Sequence, residues 1–214
     1  ALSVTTSGAV AQEKPLELQQ PRVIQVKPKD GNGNPPAQPV RSPIPAVQAV
    51  RIAAPVISWR EQLRAKLPLY GHRNWIVVAD AAYPSQASPG IETIYAGGDH
   101  LEVVEYVLGE LAKTKHIRPV VQLDAELAAV PEADAPGIDA LRNQLQEKLA
   151  KHNPQSVRHE KIIEQLDQAG KQFHILIIKT DLTVPYTSVF LQLDCGYWGP
   201  DAERRLRKSL EAQK

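Results

Sequence analysis

The chain has 214 residues, a hydrophobic fraction of 43% and a net charge of +1: enough apolar material for one ordinary core, and no global charge that would draw in nucleic acid or an acidic membrane. Aromatic residues make up only 5%, so the core must be built mainly from Val, Ile, Leu and Ala. The single cysteine, Cys195, excludes an intrachain disulfide, and no Cys/His cluster calls for structural zinc or another metal.

At the start, Ala9-Val10-Ala11 before Gln12 has the small-x-small character of a signal-peptidase site, preceded by Leu2 and Val4 but by no basic segment. Residues 1–11 therefore read either as the remnant of a signal peptide or as a small-residue terminus without an address. The first reading puts the protein in the periplasm or outside the cell, the second in the cytoplasm. No stretch approaches the roughly 20 apolar residues that a membrane span needs. Nine of the 18 prolines lie between Pro15 and Pro55. Proline removes backbone donors and favours extended chain, so residues 12–57 read as a disordered, proline-rich linker. From Lys14 to Arg51 this stretch carries six Lys/Arg against two Asp/Glu, a mild bias that suits a solvated segment.

The folded part is expected over residues 58–199, followed by a C-terminal helix over 200–214. Ser58 is a good N-cap, and Glu61 three residues later completes a capping box for a helix with Trp59, Leu63 and Leu67 on one face. Pro68 ends it. Trp75-Ile76-Val77-Val78-Ala79 is a continuous apolar run, the pattern of a strand covered on both faces. Asp99 to Lys115 reads as a helix with Leu101, Val104, Leu108 and Leu111 aligned. Arg118 to Leu123 is a second strand, and Ala125 to Pro136 is acidic and irregular. Helices follow over Ile138–Lys151 and Glu160–Ala169, then strands over Phe173–Lys179 and Ser188–Leu193. A highly charged helix over Asp201–Ala212 closes the chain. The alternation predicts a single three-layer α/β domain, a mixed or parallel sheet flanked by helices.

In such sheets, polar residues at the carboxyl ends of strands line the ligand crevice. Asp80 stands at such an end, and His72 lies beside Gly71 in the turn before the same strand. An imidazole can both take and give a proton near neutral pH, and a neighbouring carboxylate can fix its tautomer. Other polar features point elsewhere. Gly97-Gly98 lacks the Lys-Ser/Thr of a phosphate loop, and Cys195 has no paired His. Tyr197 and Trp198 suit packing of the terminal helix or stacking on a sugar. The basic stripe Arg204, Arg205, Arg207 and Lys208 is interleaved with Glu203 and Glu211, as on a solvated helix face or subunit contact.

Two blocks carry a family resemblance. Residues 71–84, GHRNWIVVADAAYP, and residues 177–191, IIKTDLTVPYTSVFL, resemble the paired motifs of the D-ribose pyranase/L-fucose mutarotase family. The first is a Gly-His, an apolar strand, an Asp and a nearby Pro; the second is a strand, a polar turn ending in Pro-Tyr, and a final strand. The likeness extends from about Ser58 to Leu193. It implies a D-ribose pyranase-like fold, a small free monosaccharide as partner and a ring-like homo-oligomer with sites near subunit contacts. The implied reaction interconverts ring or anomeric forms without a cofactor. It implies His72 as acid/base, Asp80 as its orienting or sugar-binding carboxylate, and Tyr186 as a holder of sugar hydroxyls.

The chain departs from the pattern at two places. Ser188 stands where the family usually has Asn, keeping a hydrogen-bonding group with less reach. The ribose type also has a His upstream of the third strand. Ungapped counting from Tyr186 puts Glu164 there, and His159 reaches the place only across a gap. Two functional classes follow: a mutarotase- or pyranase-like isomerase, and a non-catalytic exported carbohydrate-binding or scaffold protein on the same fold.

Overall fold

The computed structural model describes residues 57–213. The expected signal-peptide remnant and all of the expected linker except Ile57 lie outside the described residues.

Helix α1, Trp59–Lys66, begins at Ser58, whose hydroxyl accepts from the Glu61 backbone N–H while the Glu61 carboxylate accepts from the Ser58 N–H. The remaining elements are β1 (Trp75–Ala79), β2 (Ile91–Tyr95), α2 (His100–Ala112), β3 (Ile117–Asp124), α3 (Ile138–Leu149), β4 (Gln155–Val157), α4 (His159–Ala169), β5 (Ile175–Lys179), β6 (Val189–Cys195) and α5 (Pro200–Glu211). Tighter 3₁₀ turns cover Leu67–Leu69, Ala125–Ala129 and Ala150–His152. The expected irregular stretch after Leu123 thus opens with one such turn.

The strands form one six-stranded mixed sheet in the order β2-β5-β1-β6-β3-β4. β1, β2 and β5 run parallel to one another, as do β3 and β4, and β6 is antiparallel to both of its neighbours. Four strands were expected; β2 and β4 are additional. β2 is an edge strand whose Glu92 and Tyr95 are exposed, so it lacks the continuous apolar run that marks β1. β4 has only three residues.

Helices lie on both faces of the sheet. On one, α1, α2 and α3 bury Leu63, Val104, Leu111, Ile138, Leu145 and Leu149 against Ile76, Val78, Leu176, Ile178 and Leu191. On the other, α4 buries Ile162 and Leu166 against Trp75, Val77, Ile175, Ile177 and Phe190, with Tyr83 in the same cluster. Helix α5 buries no residue, and Leu206 and Leu210 on it are exposed. No helix among the described residues is long and apolar enough to cross a membrane.

Candidate functional site

Five strands point the same way, so the residues after β1, β2, β3, β4 and β5 emerge at one end of the sheet. The segment entering β6 arrives at that end too. Because Val78 pairs with Val189 across β1–β6, Ser188 stands directly beside the end of β1. Its hydroxyl donates to Asp80 Oδ2 at 2.8 Å and accepts from the Asp80 backbone N–H at 3.2 Å. Asp80 Oδ1 accepts from the Ala82 N–H at 2.9 Å, which pins the turn. A cleft of about 370 Å³ opens here, lined by Asp80, Ala81, Ala82, Thr183, Val184 and Pro185.

Next to this pair, Tyr186 adopts a left-handed backbone conformation (φ 58°), uncommon for a residue with a bulky side chain. The turn holds its ring half-exposed, edge-on to the His159 imidazole with centroids 5.6 Å apart and planes at 80°. His159 is the first residue of α4, and its backbone N–H donates to Glu126 Oε2 at 3.0 Å. Its Nδ1 lies 3.1 Å from Asp124 Oδ1. Asp124, the last residue of β3, is only 3% exposed. Burial pushes its carboxyl up to about 6, against the opposing pull of the His159 hydrogen bond. With Nδ1 engaged by the carboxylate, Nε2 is the nitrogen left to exchange a proton with a ligand. Leu123 and Val78 both pair with Val189, so Asp80 and Asp124 flank the entry to β6 two strand spacings apart, roughly 10 Å.

Behind Asp80 lies a buried layer. His100, at the start of α2 and 2% exposed, has Nδ1 2.9 Å from the Thr180 hydroxyl, which in turn donates to the Ala79 carbonyl at 3.0 Å. Burial lowers the His100 imidazole to about 4, so this ring is neutral at physiological pH. Beside it, Gly97 and Gly98 take positive φ and let the Gly98 N–H reach Asp181 Oδ2 at 2.7 Å, while Tyr95 donates to Asp181 Oδ1 at 2.5 Å.

His72 is elsewhere. It precedes β1, so the length of the strand, roughly 16 Å, separates it from Asp80. It lines an open groove of about 380 Å³ with Arg118, Asp194, Cys195 and Trp198, where Arg118 makes two hydrogen bonds to Asp194. Within one chain His72 and Asp80 stand at opposite ends of the sheet, so Asp80 does not orient the imidazole of its own chain. Of the four expected residues, Asp80, Tyr186 and Ser188 come together and His72 does not.

The sequence reading missed the pair Asp124–His159. Of the two positions weighed from the sequence, His159 begins α4 beside Asp124, whereas Glu164 sits mid-helix, exposed and paired with Lys161. Asp124 carried only a weak signal, as the acidic residue directly after the strand expected over Arg118–Leu123. Among the described residues no cluster of His, Cys, Asp or Glu is arranged to hold a metal ion.

No family model matches the chain, and no curated protein matches it in sequence. Among solved structures, it is similar to RbsD of Bacillus subtilis complexed with D-ribose, at 18% identity over 62% of this chain and 91% of that one, with a TM-score of 0.46. It is also similar to the fucose mutarotase of Streptococcus pneumoniae in complex with L-fucose, at 20% identity, 66% and 98% coverage and a TM-score of 0.44. A third, FucU of Bifidobacterium longum, is 18% identical over 62% of this chain and 93% of its own, with a TM-score of 0.42.

Proposed function

We propose that the chain binds a free monosaccharide at the carboxyl end of its sheet and interconverts that sugar's ring or anomeric forms. The observation that carries this reading is the hydrogen-bonded Asp124–His159 pair in contact with Tyr186 and beside Asp80–Ser188. The two motif blocks point to the same chemistry. A base removes the anomeric hydroxyl proton as an acid protonates the ring oxygen; the ring C–O bond breaks, a carbonyl forms, and attack by a hydroxyl recloses the ring. Every proton taken is returned, so no cofactor is consumed.

In this reading His159 exchanges protons through Nε2 with Asp124 holding its ring. Asp80 accepts sugar hydroxyls, and Tyr186 offers a phenol and an aromatic face. His72 serves as a second acid/base only if a second copy of the chain brings it to this site, so the active form is a homo-oligomer. Exchange NMR on ribose, fucose and galactose tests the proposal. Wild type accelerates ring-form or anomer exchange of at least one sugar, and His159→Ala abolishes it. No acceleration with any of the three sinks the reading.

A binding-only reading has one observation in its favour. The Ser188 hydroxyl is engaged on both sides by Asp80, so it offers a sugar less than a free polar group would. Calorimetric binding that survives both His159→Ala and His72→Ala but not Tyr186→Ala, without exchange activity, selects it.

A further inference from the structure

Besides His100 Nε2 behind Asp80, three side chains near the candidate site are almost wholly buried and each keeps one polar atom without a hydrogen-bond partner: Tyr83 Oη, Gln122 Oε1 and Asp124 Oδ2. Their exposures are 5%, 4% and 3%. Buried polar groups left unpaired cost free energy, so three on one wall call for a shared explanation. Gln122 and Asp124 are two apart on β3 and therefore on the same face of the sheet. Tyr83 belongs to that face too: its ring packs on Phe190, and Phe190 is the residue opposite Gln122 across β3–β6.

The chemistry of the three atoms is complementary. A phenol donates one hydrogen, whereas an amide oxygen and a carboxylate oxygen accept. One water molecule placed among them would accept from Tyr83 and donate to Gln122 Oε1 and Asp124 Oδ2, the usual count of about three partners for a buried water. The Gln122 amide nitrogen is already used, donating to Gln165 Oε1 at 3.2 Å, which aims Oε1 the other way. Burial is the main force pushing the Tyr83 phenol up, and the Asp124 carboxylate adds to it ahead of Asp167 and Asp80. The phenolic hydroxyl itself has no hydrogen-bond partner among the described residues.

We propose that Tyr83 is a positioning residue for the Asp124–His159 pair, acting through a single buried water held by Tyr83, Gln122 and Asp124. The outer carboxylate oxygen, Oδ1, holds His159 Nδ1; the inner one, Oδ2, is tied back to Tyr83. Fixing both oxygens fixes the carboxylate plane, and with it the ring angle and tautomer of His159. The link to sugar chemistry rests on the function proposed above, but the hydrogen-bonded chain does not.

The test reads His159 directly. Long-range ¹H–¹⁵N NMR of the full chain at pH 7.5 is expected to show wild-type His159 as one tautomer with the proton on Nδ1. Tyr83→Phe keeps the ring on Phe190 and removes only the hydroxyl; it is expected to give a tautomer mixture at His159. Gln122→Met, which removes a second water ligand at similar volume, shifts the same signals in the same direction and covers the case in which Tyr83→Phe fails to fold. Asp167→Asn leaves them unchanged. Where exchange activity is measurable, Tyr83→Phe lowers kcat about tenfold with KM within twofold. Unchanged His159 signals in both Tyr83→Phe and Gln122→Met overturn the proposal, as does an effect of Asp167→Asn equal to that of Tyr83→Phe. Absence of sugar exchange in wild type bears on the proposed function alone.

Discussion

Ser188 and Asp80 are tied to each other twice, the serine hydroxyl donating to the aspartate carboxylate at 2.8 Å and accepting its backbone N–H at 3.2 Å. One small side chain thus clamps the end of β1 to the start of β6, and it does so while 2% exposed. Ser188→Ala leaves a partly buried carboxylate oxygen and an N–H without these partners. The expected loss is about 1–3 kcal/mol in urea unfolding. In the proposed function, sugar affinity by calorimetry also falls, because the Asp80 carboxylate is freed to turn away.

Tyr186 separates backbone from side chain in a testable way. Its left-handed conformation suits Asn far better than a residue with a large side chain, by about 1–2 kcal/mol. Tyr186→Asn is therefore expected to leave the urea midpoint unchanged or slightly raised. The same variant loses the ring against His159, and sugar binding by calorimetry is expected to disappear. A parallel loss of stability and binding would show the ring to be a packing element instead.

Acid stability follows from two buried groups with opposite signs. His100 falls from 6.5 to about 4 on folding, so between those values the unfolded chain carries the extra proton and stability drops as pH falls, by about 3 kcal/mol in all. Asp124 rises from 3.8 to about 6, so across that window the folded chain carries the extra proton and stability instead improves as pH falls. The two offset each other between about pH 4 and 6. His100→Gln removes the first effect and keeps a partner for Thr180. Chemical unfolding at several pH values is expected to show it gaining stability relative to wild type as the pH is lowered from 6.5 to 4.

The opposite placement of His72 and Asp80 predicts complementation. His72→Ala and Asp80→Ala proteins are each expected to be inactive in exchange NMR. Mixed under conditions that allow subunit exchange, they regain part of the wild-type rate, since some sites receive an intact residue from each chain. Failure to recover activity in verified mixed oligomers argues that His72 takes no part in the site.

Much of this architecture can be read from local pattern. Ser58 and Glu61 announce α1, and the unbroken run Trp75–Ala79 announces a strand buried on both faces, as it is. Asp80, Tyr186 and Ser188 are legible because each sits within a few residues of such a run. Asp124–His159 is not, because the contact spans 35 residues and depends on β4, whose three residues Gln155–Val157 carry no usable periodicity. His72 and Asp80 belong to one motif block, but extended backbone carries residues apart at about 3.3 Å per position, so the two do not meet within one chain.

The last strand of the chain is also among the most central. β6 lies between β1 and β3, which make no contact with each other in the sheet, so residues 189–195 join two halves that are otherwise separate. A chain cut short before β6 keeps β1, β2 and β5 on one side and β3 and β4 on the other, each presenting an unpaired hydrophobic edge. Folding therefore depends on contacts distant in sequence, and truncations before residue 195 are candidates for aggregation rather than for smaller stable domains.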